Sequence, residues 1–334
     1  MISRERVLTA LAGGQPDRVP FIEAGVDPEM QLQIMGGDDF TPAELSLELG
    51  LDAVTVDLLP PLFVESRRTA AREFIERPLL TSPGTLSLME FPDPTERAFY
   101  DEARRRVDAN RGEFAVGARI RLGASPMLMS MGIDGFAYAL YDHPGLVEEI
   151  LDRYTEWTAQ VVERLPEVGA DFVWSFDDVA YKTGPMFSPQ VFREVFLPAL
   201  GKVADAIHRV GLPWIFHSDG DLMPLMDDLL ALGIKGLHPI EPGAMDINEV
   251  KRRYGDRICL VGNIDLHHTL TRGTPAEVEA EVRERIEVVG RGGGYMVSSA
   301  NTITSYCKLE NVLAMRDAVR RYGWYGEGAS AAAG

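Results

Sequence analysis

Cysteine is scarce in this sequence of 334 residues. Cys259 and Cys307 are its two cysteines, and no CxxC spacing or other multiple-cysteine motif is present. A disulfide framework and a cysteine-rich zinc site are therefore excluded. Cys259 stands in the apolar run ICLVG, which predicts a buried side chain. Cys307 stands in a polar segment, which predicts an exposed one.

Long apolar runs and excess positive charge are also missing. No run approaches the ~18 apolar residues that a membrane-spanning helix needs. Residues 1–20 predict a short amphipathic helix without the hydrophobic region of a signal peptide, so we expect a cytoplasmic location. Lys and Arg total 33 against 51 Asp and Glu, a formal net charge of −18 that disfavours binding of nucleic acid.

Eight strand-like apolar runs alternate with helix-like segments along the chain. They are residues 19–25, 52–57, 114–123, 170–178, 212–220, 234–241, 258–265 and 293–301. The alternation predicts a parallel sheet in an α/β fold. Eight runs favour a single (β/α)8 TIM barrel over a doubly wound sheet. We expect the barrel to occupy residues 1–326 and a flexible tail to occupy residues 327–334.

Helix starts are marked by capping boxes. Thr41 and Thr274 each precede a proline and are followed three positions later by a glutamate. The interval after the second run, residues 58–113, is the longest and contains the motif FPDP. We interpret it as an insertion over the mouth of the barrel, not as a second domain.

Nearly every apolar run ends in polar side chains. They include Glu23, Asp57, Arg121, Asp177, Asp178, His217, Asp219, Glu241, Asn263 and Asn301. In a (β/α)8 barrel all C-terminal strand ends meet at one mouth, where active sites lie. We therefore predict that these side chains become neighbours around one cavity.

A metal site is predicted at His217, Asp219 and Glu241. His217 and Asp219 alternate along one run, so both side chains can face the same way. With Glu241 from the next run they offer one imidazole and two carboxylates, which suit zinc or another divalent cation. A purely structural role for His217 is the alternative on the residues alone.

Other candidates carry weaker signals. Asp177 and Asp178 are adjacent, so at most one of them faces the cavity, and a helix-capping pair is the alternative. Tyr181 follows, and a tyrosine near an aspartate can donate a proton. Met129 belongs to the methionine-rich segment SPMLMSMGIDGF, which indicates either core packing or an apolar ligand pocket. Asn263 in GNID indicates either a turn or a substrate contact.

Six motifs in order along the chain carry a family resemblance. They are SRERVLTALAGGQPDRVPF, SPQVFREVFLPAL, FHSDGD, PIEPGAMDI, VGNIDLHHTLTRGTPAEVEAEV and GGGYMVSSANTITSYCKLEN. Together they resemble the superfamily of uroporphyrinogen decarboxylase and the cobamide-dependent methyltransferases. The resemblance covers almost the whole chain and implies a (β/α)8 barrel.

The sequence departs from the decarboxylase pattern of that superfamily. The decarboxylases carry a basic motif after the first strand, whose arginines bind carboxylates of the substrate. This chain has FIEAGV there, with Ile22 and Val26 at the arginine positions and Glu23 nearby. A porphyrinogen with many carboxylates would meet no guanidinium group. The catalytic aspartate of the family is matched by Asp57, whereas Asn301 replaces a late histidine.

The thiol-methylating branch of the superfamily binds zinc through a His-x-Cys pair and a late cysteine. Here the pair reads His217-Ser218-Asp219 and the late position is Asn301, so both thiolates are lost. This harder ligand set suits oxygen-bearing substrates. The resemblance implies a methyltransferase of an O-demethylase system, which passes a methyl group from a methoxylated compound to cobalamin on a partner corrinoid protein.

Three functions stay open on the sequence. The first is this corrinoid-dependent methyltransferase, with zinc at His217 and a proton managed by Asp178 or Tyr181. The second is a metal-free decarboxylase that uses Asp57, and the third is a non-catalytic small-molecule binding protein. A homodimer is a further expectation. The predicted substrate contacts are Glu23, Arg121, Met129, Asn263 and Asn301.

Overall fold

The structure is a computed structural model that describes residues 1–68, 73–110 and 112–326. Its strands are β1 Ala53–Asp57, β2 Val64–Arg68, β3 Glu73–Pro78, β4 Ala115–Ile120, β5 Phe172–Phe176, β6 Ala180–Tyr181, β7 Gly184–Pro185, β8 Trp214–His217, β9 Gly236–His238, β10 Cys259–Val261 and β11 Tyr295–Met296. The predicted flexible tail, residues 327–334, lies outside the described residues.

Helices connect most of these strands. They are α1 Ser3–Leu11, α2 Pro28–Met35, α3 Pro42–Leu49, α4 Asp101–Asn110, α5 Ala124–Met131, α6 Ile133–Asp142, α7 Pro144–Glu163, α8 Leu165–Val168, α9 Pro189–Val191, α10 Leu197–Val210, α11 Met226–Ala231, α12 Ile247–Tyr254, α13 Pro275–Glu284 and α14 Leu309–Tyr322. Both predicted capping boxes are confirmed: Thr41 and Thr274 each accept from, and are capped in return by, the glutamate three positions on. Among the described residues no helix is long and apolar enough to cross a membrane.

A curled sheet of seven parallel strands forms the centre of the described chain, in the order β1-β4-β5-β8-β9-β10-β11. The first predicted run, residues 19–25, lies between its two edge strands. The Ile22 amide donates to the Val297 carbonyl oxygen over 3.0 Å, and the Asp52 amide donates to the Phe21 carbonyl oxygen over 2.7 Å. The seven strands and residues 19–25 together occupy eight strand positions. This α/β arrangement is consistent with the predicted (β/α)8 barrel.

The inner face of the sheet surrounds one buried apolar cluster. Its members are Val7, Ala10, Leu11, Ile22, Ala24, Ala53, Ala115, Phe172, Trp174, Ile215, Cys259, Val261 and Met296. They come from α1, from the first run and from all but one of the sheet strands. The exception, β9, contributes Gly236, where a Cβ would approach Ile215 to 3.0 Å. Side chains therefore fill the interior, as expected of a small parallel barrel. Helix α1 covers the end of the interior at which the strands begin.

The long interval after β1 contains a β2–β3 antiparallel hairpin followed by two 3₁₀ turns and α4. Its described part packs against α5 and α7. The Phe63 amide donates to the Ser130 hydroxyl over 3.0 Å, and the Tyr154 hydroxyl donates to the Pro61 carbonyl oxygen over 3.1 Å. These contacts attach the interval to the outer helices, and its placement over the barrel mouth stays a prediction.

Both cysteines are buried. This confirms the prediction for Cys259, whereas the predicted exposure of Cys307 is wrong, since that residue is 5% exposed. The polar segment around Cys307 folds back onto the first run, where the Ile303 amide donates to the Gly25 carbonyl oxygen over 3.0 Å. Polar composition therefore did not exclude close packing of this segment.

Candidate functional site

Three side chains of metal-ligating types lie together at the C-terminal ends of β5 and β8. His217 is the last residue of β8, Asp219 follows it by two positions, and Asp178 follows β5. The Nε2 atom of His217 lies 3.6 Å from Asp178 Oδ1 and 3.8 Å from Asp219 Oδ1. The ligand atoms all lie within 4.8 Å of one another, a spacing that suits one divalent cation.

Only one of the two carboxylate oxygens of Asp219 accepts a hydrogen bond from the described residues. Its Oδ2 accepts from Asn301 Nδ2 over 2.8 Å, whereas Oδ1 is buried without a hydrogen-bond partner among the described residues. Burial, and next the nearby carboxylates of Asp178 and Glu241, raise the pKa of Asp219 to about 7. An unpaired buried oxygen is costly, so a cation or a proton at Oδ1 would stabilise this residue.

The ring of His217 is held by a second histidine. Its Nδ1 atom lies 2.6 Å from Nδ1 of His238. Burial lowers the pKa of His217 to about 4, although Asp178 acts in the opposite direction. The ring is therefore neutral at neutral pH, and a neutral imidazole has one nitrogen with a free lone pair, the form that binds metals.

Glu241, which the sequence predicts as the third ligand, has other partners. Its Oε2 accepts from the Gly220 amide over 2.9 Å, and its Oε1 lies 3.3 Å from Lys182 Nζ. The structure thus places Asp178, not Glu241, beside His217. The side chain of Glu241 is engaged by the loop that follows Asp219, and its predicted role as a ligand stays a prediction.

The adjacent aspartates after β5 have separate roles. Asp177 is buried and accepts from the backbone amides of Leu122, Gly123 and Ser125, so it caps the start of α5. Asp178 Oδ1 accepts from the Asp219 amide over 3.0 Å and faces the cluster. Capping therefore applies to Asp177 alone, and the functional role of Asp178 stays a prediction.

Behind His238 a hydrogen-bonded path continues to Glu23. His238 Nε2 lies 3.2 Å from the Ser298 hydroxyl oxygen, which lies 3.5 Å from Glu23 Oε2. The amide and the hydroxyl of Ser299 both donate to Glu23 over 2.7 Å. Burial raises the pKa of Glu23 to about 8, although these donors act in the opposite direction.

A cavity of about 490 Å³ lies beside this path, and its lining includes Glu23, Val26, Phe40, Asp57 and Arg119. Arg119 Nε donates to Asp57 Oδ1 over 2.5 Å, and its guanidinium carbon lies 5.4 Å from the ring centroid of Phe176. The ring centroids of Phe176 and His217 are 4.7 Å apart. Asp57 and the cluster of Asp178, His217 and Asp219 are thus joined through the side chains of Arg119 and Phe176.

The remaining predicted site residues have contacts elsewhere. Tyr181 lies on the short β6–β7 hairpin with its side chain 49% exposed. Asn263 is buried, and its amide donates to a backbone carbonyl and accepts from Arg285. Arg121 donates to the sulfur of Met129 over 3.2 Å. None of these contacts reaches the cluster, and the proposed roles of these residues stay predictions.

Sequence reasoning did not single out His238 or Arg119. His238 ends β9 in register with His217 at the end of β8, so two histidines at neighbouring strand ends were the available signal. Arg119 continues the inward positions Ala115 and Gly117 of β4, and a Cβ at Gly117 would lie 2.5 Å from the ring of Phe172. Arg121 has the same parity but stands beyond Ile120, the last residue of β4, so period-two counting alone does not separate the two arginines.

Comparison with known proteins identifies the family and the fold of this chain. The family model "Uroporphyrinogen decarboxylase (URO-D)" matches residues 76–322. The chain belongs to the URO-D family. A solved structure described as a methyltransferase from Methanosarcina mazei superposes with a TM-score of 0.75 at 21% identity, covering 96% of this chain and 98% of that one. This likeness shows that the two share a fold.

Relatives in the URO-D family bear two kinds of name. Methylcobamide:CoM methyltransferase MtaA of Methanosarcina barkeri is 30% identical over 170 residues, which are 51% of this chain and 47% of that protein. Uroporphyrinogen decarboxylase of Coxiella burnetii (strain Dugway 5J108-111) is 24% identical over 191 residues, 55% of this chain and 49% of that protein. The chain thus spans about half the length of the curated relatives it matches. URO-D family membership alone does not choose between methyl transfer and decarboxylation.

Proposed function

We propose that this URO-D family chain is a corrinoid-dependent methyltransferase, which moves a methyl group from a small methoxylated substrate to cobalamin on a partner protein. The observation that carries the proposal is the cluster of Asp178, His217 and Asp219 at the strand ends. The sequence similarity to the methylcobamide:CoM methyltransferase MtaA supports the same class of reaction.

Asp178, His217 and Asp219 would hold the divalent cation, and zinc is the ion we propose. One imidazole nitrogen and two carboxylate oxygens are ligands that zinc accepts. The unpartnered Oδ1 of Asp219 and the neutral ring of His217 fit this assignment. When bound, the cation supplies Lewis-acid stabilisation to the oxygen that leaves the methyl group.

The protein must stabilise the leaving oxygen because the reaction leaves an electron pair on it. The bond between the methyl carbon and the oxygen breaks, and the electron pair of reduced cobalt forms the new carbon–cobalt bond. We assign the proton on the leaving oxygen to Tyr181, since Asp178 stands in the cluster. Tyr181 lies on the β6–β7 hairpin, where its carbonyl oxygen accepts over 2.8 Å from the amide of Asp221, two positions after Asp219.

The test combines elemental analysis with a methyl-transfer assay. Purified protein is incubated with reduced cobalamin and a panel of methoxylated compounds, and we expect methylcobalamin, the demethylated product and roughly one zinc per chain. His217→Ala should abolish zinc binding and transfer, whereas the exposed His267 is the matched control, and His267→Ala should change neither. Zinc far below this ratio, with transfer unaffected by chelation, would contradict the metal role. Absence of methylcobalamin with every compound would contradict methyl transfer.

A second candidate is decarboxylation at Asp57. It is favoured by the cavity that Asp57 shares with Glu23 and Arg119, and by relatives named uroporphyrinogen decarboxylase. In this reaction Asp57 would hold or move the proton and Arg119 would bind a carboxylate. Release of CO2 without corrinoid, unaffected by chelation and lost in Asp57→Asn, would identify it.

A further inference from the structure

Four buried side chains form a row that leads from the first run to the cluster. They are Glu23, Ser298, His238 and His217. We refer to this row as the Glu23 row. Each side chain comes from a different strand or strand end, and all four residues are at most 5% exposed. The row meets the cluster at His217 and ends at Glu23, which lies in direct contact with none of the three proposed ligands.

The contact between the two imidazoles fixes how protons are arranged along the row. Two nitrogens 2.6 Å apart need one proton between them, so one ring donates and the other accepts. If His217 Nδ1 donates, Nε2 of the same neutral ring has a free lone pair for a cation. If His238 Nδ1 donates instead, Nε2 of His217 carries the proton and cannot be a ligand.

The far end of the row decides between these two arrangements. An ionised Glu23 only accepts, so the Ser298 hydroxyl donates to it and accepts from His238 Nε2. Nδ1 of the neutral His238 must then accept from His217. A donor at the position of Glu23 favours the reverse of each of these steps, against the hydrogen bond that His238 also makes with the Ser299 backbone.

We propose that Glu23, when it is ionised, is a positioning residue, which acts through Ser298 and His238 to select the tautomer of His217 that leaves Nε2 free for a cation. Its role therefore differs from the substrate contact that the sequence indicates. The metal-binding consequence rests on the proposed function, whereas the tautomer of His217 is a property of the metal-free protein. Partners that hold the second nitrogen of a metal-binding histidine are a general feature of metal sites.

Other groups around Glu23 do not supply the same control. Arg119, Asp57 and Arg106 line the cavity that Glu23 faces, but neither guanidinium forms an ion pair with Glu23. Cys307 is a further titratable neighbour, whose own pKa burial raises. The contacts of Glu23 itself run to Ser298 and Ser299, so its charge acts on the row through these hydroxyls.

The first experiment reads the tautomer directly. The ¹⁵N shifts of the histidine rings are measured in metal-free protein one pH unit above the pKa of Glu23, which is about 8. Spectra of His217→Gln and His238→Gln assign the signals. We expect His217 to be protonated at Nδ1 in the natural chain and at Nε2 in Glu23→Gln, because the amide group of glutamine donates to Ser298. An unchanged His217 tautomer in Glu23→Gln overturns the proposal, whether or not the protein binds zinc.

The second experiment measures zinc affinity by competition with a chelator, at the pH of the first experiment, at which Glu23 is ionised. We expect Glu23→Gln to bind zinc about 10- to 100-fold more weakly than the natural chain. The matched control is Glu281→Gln, since Glu281 is 15% exposed and accepts from the Asp265 amide, away from the row; its zinc affinity should stay unchanged. Equal losses in the two variants would contradict the proposal.

A second pair of variants keeps the test open if Glu23→Gln fails to fold. Ser298→Ala removes the hydroxyl that links His238 to Glu23, and it should weaken zinc binding and leave the His217 tautomer mixed. Ser298→Thr keeps a hydroxyl and should restore both readouts. Equal effects of the two substitutions would show a packing role and overturn the relay through Ser298.

If the natural chain binds no zinc but shows the predicted tautomer change, the metal half of the proposed function fails while the positioning role stands.

Discussion

Asp178 and Glu241 are two carboxylates of the barrel mouth that differ in their partners. Asp178 lies 3.6 Å from His217 Nε2, whereas Glu241 contacts Lys182 and the Gly220 amide. Both raise the pKa of Asp219, so charge alone does not separate their roles. A pair of isosteric substitutions can separate them.

We predict that Asp178→Asn weakens zinc binding more strongly than Glu241→Gln. Removing a ligand costs the cation one of its bonds, so we expect a loss of about 100-fold or more for Asp178→Asn, against less than about tenfold for Glu241→Gln. Competition with a chelator measures both affinities. The reverse order would restore Glu241 as the third ligand.

The sequence was sufficient to predict some residues of the site but not their partners. His217 and Asp219 followed from their alternation at a strand end. Asp178 was predicted to manage a proton and not to be a ligand, because adjacent residues face opposite ways and a shift of one position exchanges Asp177 for Asp178. His238 was not predicted, because its contact with His217 depends on the register between β8 and β9. No local sequence pattern contains that register.

The loop between β8 and the next helix is the element that presents Asp219. Gly220 in this loop has a φ of +89°, and a Cβ there would lie 2.5 Å from the carbonyl carbon of Ala180. The β6–β7 hairpin is therefore packed directly against the backbone that follows Asp219. A side chain at position 220 would have to move one of these two backbones.

We predict that Gly220→Ala destabilises the protein more than Gly211→Ala. Gly211 has a φ of +72° but open space around it, so its substitution costs only the ~1–2 kcal/mol of a left-handed residue. Gly220→Ala adds the clash with Ala180, and we expect a further loss of about 2 kcal/mol and weaker zinc binding. Urea denaturation of both variants measures the difference. Equal losses would mean that the hairpin moves aside without cost.

The order and type of most elements could be predicted from the sequence. The first run is an exception, because it is not a regular strand. Residues 19–25 occupy a strand position yet make only isolated bridges to the sheet. Pro20 lacks an amide hydrogen, which removes one hydrogen bond that a regular ladder would require. Periodicity detects an extended apolar segment. The number of backbone hydrogen bonds that the segment makes to its neighbouring strands depends on individual residues such as Pro20.

For the molecule as a whole, stability depends on the buried interior of the sheet. Phe172 is fully buried there, whereas Phe74 on β3 is 45% exposed. We predict that Phe172→Ala lowers the free energy of unfolding by about 3–5 kcal/mol and that Phe74→Ala changes it by less than about 1 kcal/mol. Thermal or urea unfolding checks both values. A small loss for Phe172→Ala would argue against a packed interior.

Stability should also depend on pH through Glu23. Its pKa is raised from 4.5 to about 8 in the folded protein, so the folded state holds a proton that the unfolded state has released. This contribution is fully present below pH 4.5 and is lost as the pH rises to about 8. Buried His217 titrates in the opposite direction, but only below its ordinary pKa of 6.5.

We therefore predict that the metal-free protein becomes less stable between pH 7 and 8, by roughly 1 kcal/mol. Glu23→Gln cannot titrate and should show a flatter dependence in this interval. Urea denaturation at several pH values, with a chelator present, compares the two proteins. Identical slopes would show that Glu23 does not carry a raised pKa.

The contact of Glu23 with Ser299 joins positions that are 276 residues apart in the chain. During synthesis, the surroundings of the Glu23 row consequently stay incomplete until the region around Ser299 has left the ribosome and closed the ring of strands. Closure of such distant contacts is slow compared with local helix formation. Control of the His217 tautomer by Glu23 would thus arise late in a growing chain, and it would report that the whole ring has assembled.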